Sequence, residues 1–396
     1  MTFHRSIFGK LVLSTFLLAI PLDAAFAQDT TAVAARLKGL FANQGVELTW
    51  TGISGDASSM VLQGVTVKPA AEKDALPIGD VTLAGITDAN GGYAIESATT
   101  KAFTREQDGA TVDVSPFAIH GITIPAENST DPLASIMMYK SADLASLSVK
   151  VADKTAFSMD NLSVNVTPPA GGNPLEFTGG VDKFSGDLSL VKDPKTKEVV
   201  DALGYQTITG KAAFAGSWQP SDGKMTLSKY DIAVDNAGTL GMTFDISGYT
   251  LDFVKSVQEM QKKMAAKPND ADKSAEGMAM LGLMQQLTFN GATIRFDDAS
   301  LTGKVLDYIA KQQGMKPKDI ANQAKAIVPF GMAQLNNPDL TSKVSNAVNA
   351  YLDNPKNIEI AAKPASPVPF ALIMAGAMSN PQELTKTLGV TVNANQ

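Results

Sequence analysis

Residues 205–248 constrain the fold more than any other stretch of the 396-residue chain. Ile208, Ala212, Phe214 and Trp218 share one parity. Tyr230, Ile232 and Val234 share the inward face of a second run. Leu240, Met242, Phe244 and Ile246 alternate with Thr239, Gly241, Thr243, Asp245 and Ser247. Side chains of a strand point to opposite faces in turn, so the pattern predicts three consecutive strands, each with one wet and one apolar side. Gln219-Pro220-Ser221-Asp222-Gly223 and Asp235-Asn236-Ala237-Gly238 supply the turns between them. Met225 and Leu227 are out of phase with Tyr230, Ile232 and Val234. That change of phase predicts a β-bulge near Ser228.

The N-terminus predicts export. Arg5 and Lys10 precede an apolar segment at residues 11–22, and Ala25-Phe26-Ala27 has the small-x-small form of a cleavage site. The expectation is a cleaved signal over residues 1–27, with a retained N-terminal anchor as the alternative. No cysteine follows the cut, which excludes a lipoprotein. A bilayer span takes about 20 apolar residues. The best later candidate, residues 368–378, is shorter and fenced by Pro367, Pro369 and Pro381. The expected localisation is soluble in an exported compartment, the periplasm, with no transmembrane segment after signal cleavage.

Composition narrows the chemistry. The chain has no cysteine, which removes thiolate metal sites, cysteine nucleophiles and redox motifs. A formal charge of -7 and only four arginines argue against a nucleic-acid partner. Beyond the signal there is a single histidine, His120, which excludes zinc sites built from several histidines and leaves one residue to serve any Ser-His-Asp triad. It reads as a half-exposed strand histidine beside a turn. Asp297-Asp298, ahead of a helix starting near Ser300, reads as a helix-capping pair with salt pairing to Arg295 as the alternative, rather than as a catalytic dyad. Asp88-Ala89-Asn90-Gly91-Gly92 lacks the later ligands of a calcium loop and reads as a turn. No phosphate loop or dinucleotide fingerprint is present. The expectation is a non-enzymatic protein without cofactor or metal.

In chain order, residues 30–43 read as a short helix with Val33, Leu37, Leu40 and Phe41 inward and Gly45 near its stop. Strands then dominate to residue 191. An apolar–hydroxyl–apolar theme recurs after Gly, Asn or Asp: Gly64-Val65-Thr66-Val67, Asp80-Val81-Thr82-Leu83, Gly121-Ile122-Thr123-Ile124, Asn161-Leu162-Ser163-Val164 and Asp187-Leu188-Ser189-Leu190. Its irregular spacing favours an antiparallel meander over a fixed-period solenoid. After about residue 249 helical periodicity takes over. Val254, Val257, Met260 and Met264 form one stripe, and Met278, Leu281, Met284 and Leu287 another, with a polar loop at 265–274 between them. Strands are expected at 287–296, 357–362 and 389–394. Pro317 and Asn337-Pro338 mark helix starts, and Asn380-Pro381-Gln382-Glu383 reads as a capping box.

The expected fold is β-rich α+β: a meander over 28–248, then a helix-rich region over 249–396 whose few strands continue the sheet. Two arrangements fit, a separate helical domain or helices packed on the concave face of a long curved sheet, and the second is preferred because those strands need partners. Methionine is flexible and polarisable, and is over-used on surfaces that accept varied apolar partners. Met260, Met264, Met278 and Met284 read first as ordinary core filling; the functional reading, on which they are the candidate ligand-binding residues, is an apolar groove between helices and sheet.

The helix ending at Gly45, Val46-Glu47-Leu48-Thr49-Trp50, the Gly-Val-Thr-Val strand at 64–67 and the run of short strands together resemble AsmA-like and DUF945-like proteins of the Gram-negative envelope. Phe296-Asp297-Asp298-Ala299-Ser300-Leu301, with Pro355, Pro364 and Pro367, resembles uncharacterised periplasmic proteins of alphaproteobacteria. The first resemblance implies lipid handling or support of outer-membrane assembly, usually from an N-terminal membrane anchor; the likeness carries over no site residues. The expected function is binding of an apolar or lipid-like ligand, or support of the outer envelope. Docking to an envelope protein partner is the second reading and an enzyme the third.

Overall fold

The computed structural model describes residues 30–396 apart from 70, 71, 73, 130–132, 134–136, 267–273, 334 and 335. The expected signal at 1–27, and most of the expected loop at 265–274, lie outside the described residues. Eighteen strands and nine α-helices are present among them, with the helices mostly in the C-terminal half, and every described strand pairing is antiparallel. The β-rich α+β class is as expected. Contacts gather into two units, Met1–Gly179 with Val254–Met278, and Gly180–Phe253 with Ala279–Gln396.

The first unit begins with α1 (Thr30–Asn43), which ends where predicted: Gly45 has φ 76° and donates its N–H to Ala42. Val33, Ala34 and Leu37 are fully buried against a meander. β1 (Val46–Thr49) and β2 (Gly52–Gly55) form one broken edge strand along β3 (Ser59–Pro69). β4 (Leu76–Ala89) follows, and joins β5 (Gly92–Thr100) through Asn90-Gly91, both with positive φ, as a two-residue hairpin turn requires. A long, kinked hairpin comes next. β5 pairs β8 (Phe117–Ile124), and β6 (Phe103–Gln107) pairs β7 (Ala110–Val114). β9 (Ser141–Val151) spans both β7 and β8, and β10 (Lys154–Thr167) closes the order. Leu83, Ile95, Ile119, Ile122 and Ile124 carry the core beneath α1.

The residue that precedes the recurring theme has a structural role in three of its five occurrences. Gly64, Gly121 and Asn161 lie inside β3, β8 and β10 with φ of 57°, 64° and 52°. Each is a left-handed position inside its strand, and at Gly64 the register against β4 also shifts, which resets the alternation there. Leu62 and Val65 are consequently both buried, although they are three residues apart. Asp80 holds the bulge from the neighbouring strand: its Oδ1 accepts the Gly64 N–H at 3.1 Å, which together with Lys101 keeps its carboxyl below the usual range.

β11 (Leu175–Asp187) leads into the second unit. The theme at Asp187 fails here. Residues 188–190 form a single 3-10 turn, because Asp187 accepts the Ser189 N–H and caps it, and α2 (Pro194–Leu203), which the sequence reading missed, follows behind the cap Asp193. The sheet of this unit runs β12 (Thr207–Gln219), β13 (Lys224–Val234), β14 (Gly238–Ser247) and β15 (Thr288–Asp298). Then come β16 (Asn357–Ala362) with β17 (Val368–Pro369), and finally β18 (Val390–Ala394). The predicted bulge is found: Ala215 faces Lys229 while Gly216 faces Leu227, leaving Ser228 as the extra residue.

Helices α3 (Leu251–Ala266) and α4 (Ser274–Met284) lie between β14 and β15. α5 (Leu301–Gln313), α6 (Pro317–Ala333) and α7 (Pro338–Asp353) pack in sequence. α8 (Phe370–Ser379) and α9 (Pro381–Thr387) precede the last strand. Asn337 and Asn380 cap α7 and α9 as their sequences predict. α7 lies against β16 and β18. The side of β16 that is covered carries Asn357 and Ala361. Ala361 is 1 % exposed while its neighbour Ile360 is 50 % exposed. The tight approach to β16 is made on this side, where Ala361 and, on α7, Ala347 are small and buried, and Asn395 Nδ2 donates to Ala350 O at 2.8 Å.

Candidate functional site

The register of the second unit assembles the alternating residues into rows that cross the strands. Ala212, Ile232, Leu240, Phe296, Ile358 and Ala394 stand side by side. The next row on β14, β15, β16 and β18 is Met242, Ile294, Ile360 and Val392, and the next is Phe244, Ala292, Ala362 and Val390. The last joins Trp218, Met225, Ile246, Phe289 and Val368. Bulges at Ser228 and Asn290 bring Tyr230 and Phe289 back to the same side as their neighbours.

The reverse side is polar and internally paired. Thr243 and Thr293 share a 2.7 Å hydrogen bond. Asn290 Nδ2 donates to Asp245 at 2.7 Å and Ser247 at 2.8 Å. Arg295 grips Asp297 through Nε and Nη2, with Glu359 at 3.9 Å; the Asp297 contact pushes the guanidinium pKa further up. The expected wet and dry sides are thus both present.

The apolar side is unusual in its exposure. In the first unit the corresponding large side chains are buried. Among the apolar residues of these rows only Val368 is buried, and Tyr230, Leu240, Ile294 and Ile360 are exposed outright. Ile294 and Ile360 are direct register partners, 51 % and 50 % exposed. Beside them Ala292 and Ala362, also partners, leave a shallow furrow between this ridge and Phe289 with Val368. Rows along a strand recur at about 7 Å, twice the residue rise, so the furrow is about as wide as one extended hydrocarbon chain. One end of the face closes with aromatic rings. Trp218 meets Tyr249 edge-on at 6.4 Å and donates Nε1–H to its carbonyl, Tyr249 stacks on Phe253 at 5.4 Å, and Phe289 meets Phe370 at 6.3 Å.

The methionines predicted as a groove are placed differently from one another. Met260 and Met264 are half-buried, one turn apart on α3 in the first unit. Met278 stands exposed on α4, a helix with no buried residue. Met284, half-buried, belongs to the second unit. The exposed sheet face was missed because alternation reports which side is apolar, not whether anything lies on it.

The other candidates resolve into structure. His120 is exposed on β8, with Asp143 Oδ2 at 3.9 Å, and stands beside left-handed Gly121 inside the strand rather than beside a turn. Asp298 caps α5 by accepting the Thr302 N–H at 2.9 Å, while Asp297 is the partner of Arg295. Asp88 accepts the Gly91 N–H at 3.2 Å and closes its hairpin turn. Among the described residues no group of three or more His, Cys, Asp or Glu is placed to hold a metal. A shallow pocket of about 350 Å³ lies at the kink of the long hairpin, lined by Thr104, Asp113, Ser115, Ser146 and Ser148. Its carboxylate is held by Lys150 at 2.7 Å, which, with Thr104, lowers the Asp113 pKa. No helix of the described residues is long and apolar enough to cross a membrane.

A family model described as an uncharacterized protein matches residues 231–395, which cover β14 to β18 and the helices between them. No curated protein matches the chain.

Proposed function

We propose that the protein is a non-catalytic binding protein of an exported compartment, whose ligand is an apolar, lipid-like chain lying across the open face of β12–β18. The observation that supports this is the ridge of Ile294 and Ile360, each about half exposed, beside the alanine-floored furrow. Covering a branched aliphatic side chain contributes about 1.5–3 kcal/mol relative to leaving it in water. A face with many such side chains uncovered therefore has a strong drive to be covered. Trp218 is the one hydrogen-bonding side chain in these rows, with Tyr230 on the same side paired to Phe214, and Trp218 is already committed to Tyr249. Such a surface suits methylene groups and offers nothing that would polarise a bond.

Native mass spectrometry of the protein taken from its own compartment, followed by organic extraction, tests this. The expected result is a mass increment that solvent removes. Palmitate is the probe for titration. Replacing both ridge residues, Ile294→Glu and Ile360→Glu, should weaken palmitate binding at least about tenfold. Thr243→Val on the reverse side should leave it unchanged. A clean apo mass, together with palmitate binding indifferent to the ridge, would sink the proposal.

A further inference from the structure

The kink of the long hairpin in the first unit assembles a polar cavity. Register sets Thr104, Asp113 and Ser148 side by side across β6, β7 and β9, on one side of the sheet. Just beyond them β7 gives way to β8 at Ser115-Pro116. There Ser115 donates its N–H to Ser146 O at 3.0 Å, and Ser115 Oγ accepts the Ser146 N–H at 2.8 Å. A serine side chain thus does at the kink what a strand carbonyl does elsewhere in the ladder. The hollow between the row and this clasp measures about 350 Å³, with Phe103 and Val114 in its lining.

The polar atoms of the lining are fixed by their own partners. Asp113 Oδ2 accepts from Lys150 Nζ at 2.7 Å, and Oδ1 from Thr104 Oγ1 at 2.8 Å. These contacts, Lys150 first, keep the Asp113 carboxyl below the usual range, so it stays ionised and acts only as an acceptor. Thr104 has committed its hydroxyl proton to Asp113. The Ser146 hydroxyl, exposed at the rim, has no partner among the described residues. The wall therefore offers mainly acceptors, with one hydroxyl left to donate. Its carboxylate turns anions away, and Lys150 beside that carboxylate turns away a second cation. Among the described residues no group of three or more His, Cys, Asp or Glu is placed to hold a metal. The complement of such a wall is a neutral molecule rich in O–H groups. Ligand cavities span about 300–1,000 Å³, and this one lies at the small end, with room for a single ring.

We infer that the kink of the β6–β7 hairpin is a subsite for one pyranose ring, with Asp113 accepting from its hydroxyls and Ser146 donating to one of its oxygens. The site rests on residues of the first unit alone. It is independent of any ligand on the apolar sheet face. The same contacts serve a free sugar and one unit of a glycan chain, and the experiment separates the two.

The test is a titration of isotope-labelled protein with glucose, galactose and N-acetylglucosamine, read by amide chemical shifts. At least one of the three should move the amides of 102–104, 113–115 and 146–148 saturably. A dissociation constant in the millimolar range is expected for so small a ligand at an open site. Asp113→Asn should weaken binding about tenfold or more. That change also frees Lys150, so Ser146→Ala, at an exposed position, is the second variant. It should keep the thermal midpoint of wild type and lose about three- to tenfold in affinity, the worth of one hydrogen bond. Ile294→Glu with Ile360→Glu should leave sugar binding unchanged. Maltohexaose compared with glucose, and chitohexaose with N-acetylglucosamine, distinguish the sources. A gain of about tenfold or more would place a glycan chain at the site, and equal affinity a free sugar. No saturable shift with any of the three sugars would overturn the inference. So would binding that both variants leave intact, or shifts of these amides caused by calcium chloride and by none of the sugars.

Discussion

Gly64 shows how much one backbone position can organise. Its φ of 57° lets β3 skip a beat, so that Leu62 and Val65 both reach the core. An alanine there pays for left-handed backbone, and its Cβ would come within 2.9 Å of Thr51 Oγ1. Gly64→Ala should therefore destabilise the first unit by about 1–2 kcal/mol, read as a lower urea midpoint with an unchanged slope. The theme was visible as Gly-Val-Thr-Val, but glycine before a strand motif signals a turn as readily as a bulge. Only the pairing of residues on both sides of it separates the two. Ser228 was legible because apolar residues flank it in opposite phase, whereas Asp187 was misread because its side chain turns back on the Ser189 N–H and starts a 3-10 turn.

Elements with two consistent signals were read well. α1 has apolar spacing and a glycine stop, and α7 and α9 have Asn-Pro caps, so periodicity and capping chemistry agree. Leu37 of α1 is fully buried within the core beneath the helix. Leu37→Ala should cost about 2–5 kcal/mol, a loss a thermal melt would report as a clear drop in midpoint. Elements with one signal fared worse. α8 carries no periodicity because every side is apolar, and α2 announces itself only through the cap at Asp193. Packing direction was not legible either. That α7 covers the Ala361 side of β16 follows from the small residues at the contact, not from any amphipathic pattern in the strand.

At the scale of the whole molecule the two units differ in how their apolar residues are used. The first encloses a core of fully buried side chains between α1 and its meander, whereas the second leaves an apolar sheet side open. Hydrogen exchange should reflect this. Amides of β3, β4, β5 and β8 should be the slowest, and those of β14, β15 and β16 faster by a factor of ten or more, on the order of a kcal/mol or two of local opening energy. Saturating palmitate should slow the second set alone, since a ligand at about 100 times its dissociation constant adds about 2.7 kcal/mol to whatever it holds closed. Equal protection in both sets without ligand would contradict this account.

On the proposed function, the near absence of polar groups on the β12–β18 face sets the kind of discrimination it can exercise. A surface that cannot grip a headgroup has only length to measure. Each methylene laid against it adds about 0.8 kcal/mol, so successive homologues differ by a near-constant factor until the chain outruns the rows. The face would then act as a ruler, ranking amphiphiles by how many carbons they lay down and passing over what sits at their ends.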